Sequence, residues 1–181
     1  MTGINGIASL LDKPATERVE SLWQELDAQC GLVGVKITPF PHFSWQVTEG
    51  YDSPRLDTSL QEIAGQTQPF TVRTAGLGLF SGESPIVYIL IVKDEALIRF
   101  HSLLWQRMEK IAIRPMPHYA PEKWVPHITL AYNDVRRDNL GCALNNLAFL
   151  PFEWEIQIDN LVTIAQTEGP TAQTVYYKFG N

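Results

Sequence analysis

The chain has 181 residues, 45% of them hydrophobic, enough apolar material to bury a core for one domain or two small lobes, which argues against disorder. Its net charge of −6 creates no general positive field, which weighs against a binder of extended duplex nucleic acid and leaves room for a small phosphate held by local donors. The opening residues lack the basic start and apolar stretch of a signal peptide, and the longest apolar run, residues 86–92, is too short for a bilayer, so a cytoplasmic protein without a membrane partner is expected.

From residue 16 to 30, Val19, Leu22, Trp23, Leu26 and Cys30 fall on one stripe at helical spacing, and Gly31 supplies a stop. Residues 35–38 read as a strand. After Pro39 and Pro41, an alternating segment turns Phe43, Trp45 and Val47 to the core and His42, Ser44 and Gln46 outward. Ser53-Pro54 opens a helix, hydroxyl at the cap and proline at the first helical position, that runs through Leu56, Leu60 and Ile63 to Gly65. Residues 70–75 and 86–92 are strands, joined by a loop holding Gly76, Gly78, Ser81, Gly82 and Pro85. Asp94 caps a helix that buries Leu97, Phe100, Leu104, Met108 and Ile111, and the proline-rich stretch 114–121 follows as the boundary between halves. Beyond it, residues 127–132 read as a strand, 135–147 as a helix, and 152–158, 161–166 and 175–179 as strands.

Pro41-His42-Phe43-Ser44 and Pro126-His127-Ile128-Thr129 share a plan: a histidine with a hydroxyl residue two positions on, in a strand-like setting. Side chains at i and i+2 leave a strand on the same face, so each segment presents an imidazole beside a hydroxyl. Strand, helix, strand, strand follows each histidine, and the next strand opens with Pro-Phe in both halves, at Pro69-Phe70 and Pro151-Phe152. This repetition predicts an internal duplication, with one bilobal unit over residues 1–181 and pseudo-repeats at about 33–112 and 120–181. The fold class expected is α+β, two antiparallel sheets with helices outside and a central cleft where the histidine strands meet. An imidazole titrates near neutrality, so one of a pair can accept a proton while the other gives one, the requirement for cleaving a phosphate ester without a metal. Ser44 and Thr129 could each donate to a non-bridging phosphate oxygen and steady the charge that grows there.

Together the two motifs resemble the duplicated His-x-Ser/Thr-hydrophobic signature of the two-histidine (2H) phosphoesterase superfamily, whose bacterial members include the 2'-5' RNA ligase-like proteins. The resemblance covers residues 33–179. It implies a bilobal α+β fold with a metal-independent, cofactor-free cleft acting on 2',3'-cyclic phosphates or related cyclic phosphodiesters, and sometimes joining RNA ends through a 2'-5' linkage. By matching position, His42 and His127 become the acid/base pair, and Ser44 and Thr129 the hydroxyls that hold the phosphate. A monomer acting on a small nucleotide or an RNA end is expected. The competing readings are a 2'-5' RNA ligase or RNA-end processing enzyme, and a binding module for nucleotides or RNA ends that does little chemistry.

Other residues carry weaker signals. Tyr119, in the proline-rich stretch, Trp124, beside the second motif, and Arg73, on a neighbouring strand, are candidates for lining the cleft. Strict alternation from His127 places Tyr132 on the core side. His101 reads as a boundary residue of its helix. The four histidines and two cysteines lack metal-ligand spacing, so no metal site is expected. Cys30 and Cys142 give at most one pair and no disulfide framework; they read as unpaired small core residues in a reducing cytosol.

Overall fold

The computed structural model describes residues 4–166 and 169–180, apart from the side chains of Ile4, Ser53 and Thr174, so the expected capping hydroxyl of Ser53 lies outside the described residues. In chain order the elements are β1 (Ile4–Leu10), α1 (Lys13–Cys30), β2 (His42–Thr48), β3 (Gly50–Tyr51), α2 (Ser53–Gln66), β4 (Phe70–Phe80), β5 (Ile86–Ile91), α3 (Glu95–Met108), β6 (Ala112–Ile113), β7 (His127–Ala131), α4 (Leu140–Leu147), β8 (Glu155–Ile158), β9 (Asn160–Gln166) and β10 (Ala172–Lys178). Two 3₁₀ turns, Gly34–Ile37 and Pro117–Tyr119, precede the two histidine strands.

Two antiparallel four-stranded sheets result, ordered β10-β9-β1-β2 and β7-β5-β4-β8, with a small β3–β6 ladder beside them. Helices α2 and α3 pack with the first sheet, α1 packs with the second, and α4 packs against α1. The sheets do not divide along residues 33–112 and 120–181. The first is built from the two ends of the chain, and in the second β4 and β5 pair with β7 and β8. The order strand, helix, 3₁₀ turn, histidine strand, helix, strand occurs once from β1 to β4 and again from β5 through β8. In each round the helix after the opening strand packs over the opposite sheet, which leaves β2 and β7 as the sheet edges that face each other.

Strand β1 has no counterpart in the sequence reading. It is a central strand, paired with β2 and β9, whose Ile7, Ala8 and Ser9 are fully buried. Small residues let it lie between two neighbours but give little strand periodicity. Helix α1 starts earlier than the apolar stripe suggests because the Asp12 carboxylate accepts from the Ala15 N–H at 2.9 Å. Gly31 closes it with φ 66°, a conformation that glycine adopts without steric cost.

Several expectations are corrected by specific contacts. Residues 35–38 are not a strand: the Asp134 carboxylate accepts from the Val33 and Gly34 N–H groups at 2.6 and 2.7 Å and seats the first 3₁₀ turn there. Gly34 lies so close that a Cβ would come within 2.1 Å of the Tyr132 carbonyl oxygen. The glycines 76 and 78 are not loop residues. Strand β4 continues to Phe80 through a register shift between Thr74 and Leu77, and the Tyr88 ring lies over Gly78, where a Cβ would meet it at 2.2 Å. Helix α4 begins only at Leu140, because Asn139 donates to the Asp134 carbonyl and accepts from the Arg136 N–H, and residues 137–139 form a turn before it.

Cys30 and Cys142 are disulfide-bonded, which corrects the reading of two unpaired thiols. The last residue of α1 and the third of α4 meet because those helices pack side by side, an approach that no local pattern encodes. Among the described residues no helix is long and apolar enough to cross a membrane. The core between sheets and helices centres on Trp45, whose ring packs against Phe43, Phe100 and Trp124 at centroid distances of 4.7, 4.9 and 5.3 Å.

Candidate active site

His42, Ser44, His127 and Thr129 line one cleft of about 260 Å³ between the facing edges of β2 and β7. The alternation read from sequence holds at these four positions: His42, Ser44, His127 and Thr129 are half-buried, and their neighbours Phe43, Trp45, Ile128 and Leu130 are fully buried. It fails one step later in β2. Trp45 is an extra residue, since Ser44 pairs with Ala8 and Gln46 with the adjacent Ile7. That bulge flips the face, so Val47 lines the cleft and Gln46, only 1% exposed, turns inward to accept from the Tyr51 hydroxyl at 3.0 Å. A sequence count that assumes strict alternation misplaces both.

The two imidazoles are held alike. Nδ1 of His42 lies 3.0 Å from the Phe40 carbonyl oxygen, and Nδ1 of His127 lies 2.7 Å from that of Val125. A carbonyl only accepts, so Nδ1 must carry the proton in both rings, and Nε2 is the nitrogen left for chemistry. Burial lowers both pKa values below the ordinary 6.5, and the carbonyls pull the other way. The charge of His127 lowers His42 further, so each ring resists protonation while the other is charged. Phe80 presents itself edge-on to the His127 ring at 4.9 Å, and Tyr88, cross-strand from Thr129, lies 5.1 Å away.

Two tryptophans brace the strands, Trp124 from behind the cleft and Trp23 from its lining. The Trp124 indole donates to the Ser44 carbonyl and the Trp23 indole to the Thr129 carbonyl, each at 3.0 Å. Trp124 is therefore buried in the layer behind the cleft, and is not on its lining. His101 is not a boundary residue: it is 1% exposed, stacks on Trp124 at 3.8 Å, and donates from Nε2 to the Trp45 carbonyl at 3.0 Å. Lys93 reaches the carbonyls of Pro121 and Trp124 at 3.0 Å from the other side.

Tyr119 lines the cleft as expected and is hydrogen-bonded with Ser44; burial raises its pKa, and the Ser44 contact opposes that. Tyr132 also lines the cleft, contrary to its parity, because β7 ends at Ala131 and alternation ends with it. Arg73 is not in the cleft. It lies exposed on β4 opposite Glu155 of β8, the edge of its sheet remote from β7. Trp23, Tyr88 and Phe80 escaped the sequence reading as site residues; for Trp23 the signal was a helical stripe indistinguishable from ordinary core. Among the described residues no three His, Cys, Asp or Glu side chains gather as metal ligands would.

The chain is similar to known proteins over most of its length. The chain is 25% identical over 171 residues to a protein of Bacillus cytotoxicus named "Putative phosphoesterase", covering 92% of this chain and 90% of that one. Its fold is similar to a crystal structure of a phosphoesterase, with TM-score 0.64, 14% identity and 99% of both chains covered. It is also similar to E. coli LigT complexed with 3'-AMP, with TM-score 0.56, 13% identity and all of both chains covered. Kluyveromyces marxianus Usb1 with uridine monophosphate follows at TM-score 0.50 and 10% identity, over 94% of this chain and 98% of that one. The family model of the 2'-5' RNA ligase superfamily matches residues 11–170, a span that holds both histidine strands, and the chain belongs to that superfamily.

Proposed function

We propose that this chain opens a cyclic phosphodiester of the 2',3'-cyclic nucleotide kind by general acid–base catalysis between His42 and His127, without a metal. The observation that carries the reading is the matched pair of imidazoles, each with Nδ1 spent on a carbonyl of its own chain segment and each lining the same cleft beside a hydroxyl. One Nε2 takes a proton from water as the water oxygen bonds to phosphorus. The other Nε2–H gives its proton to the departing sugar oxygen as that P–O bond breaks, leaving a phosphomonoester. Both rings rest neutral, because burial holds their pKa values down; the substrate's own negative charge between them favours the proton that the acid must carry.

Ser44 and Thr129 donate to the non-bridging oxygens, where charge accumulates, with Tyr119 supporting Ser44. The ligands named for two solved neighbours, 3'-AMP and uridine monophosphate, belong to the product class such a reaction leaves. The test is hydrolysis of a nucleoside 2',3'-cyclic phosphate in the presence of chelator, with product identity read by chromatography. His42→Ala and His127→Ala should each lose about 10²–10⁴-fold in kcat, the range for removal of a general acid or base. Activity that survives in both variants rules the mechanism out.

A further inference from the structure

Apart from its two histidines, the cleft has no ionisable cation or carboxylate among its described lining residues. Ile37, Met116 and Ile164 give it an apolar wall, and Thr38, Gln166 and Thr171 give it neutral polar groups, with the Thr38 and Thr171 hydroxyls 3.0 Å apart. The cations closest along the chain are committed elsewhere. Lys36, between the lining residues Val35 and Ile37, is paired with Asp27 at 2.5 Å, and Arg114, two residues before Met116, is paired with Glu49. Phosphate bound here is therefore met by hydroxyls and by at most the charge the histidine pair takes up, a pair in which each proton resists the next.

We infer that this cleft selects substrates whose whole charge is one phosphodiester, a nucleoside cyclic phosphate or the cyclic phosphate of another uncharged alcohol, and discriminates against compounds that bring further phosphates, oligonucleotides among them. The inference rests on the phosphodiesterase reading above for its chemistry and adds the substrate class. A second phosphate enters a half-buried apolar cleft with no counter-charge to replace its lost water. The same reasoning governs the product. A phosphomonoester has a second pKa of about 6, so hydrolysis at neutral pH turns a monoanion into a dianion that the cleft holds less well than its precursor. Ring opening thus promotes release.

The experiment compares adenosine 2',3'-cyclic phosphate with its 5'-phosphorylated form and with a dinucleotide ending in a cyclic phosphate, from 50 to 300 mM NaCl. The expected result is a kcat/KM at least tenfold higher for the unphosphorylated nucleoside, with no fall as salt rises, since apart from the histidine pair the described lining residues hold no cationic side chain to be screened. Equal or better use of the 5'-phosphorylated or dinucleotide substrate overturns the inference. Calorimetric binding of adenosine 3'-monophosphate against adenosine 3',5'-bisphosphate decides it independently of turnover. The bisphosphate should bind at least tenfold more weakly, and equal or tighter binding overturns charge selection even if the reaction is as proposed. If no cyclic phosphate is opened but this binding order holds, the proposed reaction fails and charge selection stands. Gln166→Arg should raise kcat/KM for the 5'-phosphorylated substrate relative to the plain nucleoside by at least threefold; no gain, with the variant folded by circular dichroism, counts against the inference.

Discussion

His101 gives the fold an acid-sensitive post, and its effect can be worked out. Burial lowers its pKa from 6.5 to about 4; the Trp45 carbonyl and the Tyr119 backbone oppose that shift, and the nearby Lys93 charge reinforces it. Above pH 6.5 the ring is neutral in folded and unfolded chains alike, and its titration contributes no pH dependence. As pH falls, the unfolded chain takes up the proton first, so stability is lost between pH 6.5 and 4 and then levels off. The full span corresponds to roughly 3 kcal/mol, of which about 2 kcal/mol is lost by pH 5. Because His101 is only 1% exposed, solvent screening does not reduce the figure appreciably. His101→Gln keeps an N–H within reach of the Trp45 carbonyl and cannot titrate. It will cost stability at pH 7.5 through the lost stacking on Trp124, so the quantity to compare is the difference between two pH values. Urea unfolding at pH 7.5 and 5.0 should show the variant losing about 2 kcal/mol less than the wild type, equivalent to about 4–8 °C in Tm for a chain of this size. Equal acid sensitivity in the two proteins would show that His101 does not titrate as its burial requires.

Reduction of the Cys30–Cys142 bond, or Cys142→Ser, releases a loop with a sequence separation of 112. Chain entropy alone puts its contribution near 4.8 kcal/mol, and about 2–4 kcal/mol is the usual measured range, so the urea midpoint should fall on adding dithiothreitol; an unchanged midpoint refutes a stabilising role. Ser44→Ala and Thr129→Val should each lower kcat by about 10²–10³ if the hydroxyls meet developing charge, and a change confined to KM would mean that they only bind. The pH profile of kcat/KM reports the free enzyme, in which burial lowers both His42 and His127. Its limb on the rising side and its limb on the falling side should therefore both lie below pH 6.5, and a maximum at pH 8 would contradict the burial of the pair.

The four residues of the candidate site were legible because each motif needs only two turns of the pleat to be read, and over that distance alternation is a local property. What escaped was set by partners far along the chain. Gln46 and Val47 exchange faces because β1, a strand invisible to periodicity, pairs with β2 across a bulge at Trp45. The 3₁₀ turn at Gly34–Ile37 is specified by a carboxylate a hundred residues downstream. Gly76 and Gly78 punctuate a sequence as loop residues do, and become strand only under the Tyr88 ring. Cys30 and Cys142 each looked like ordinary small apolar positions, and their bond depends on helix packing alone.

The tryptophans that brace the histidine strands also bear on what keeps the two sheets apart. Strands at the border of a sheet offer unpaired backbone groups as templates for further pairing, and here two such borders are brought face to face. If β2 and β7 zipped together, eight strands would merge into one continuous sheet and no room would remain for a phosphate. Trp124 and Trp23 occupy the Ser44 and Thr129 carbonyls, one on each of these two strands. With those acceptors taken, each border has one fewer backbone group to offer the other across the opening.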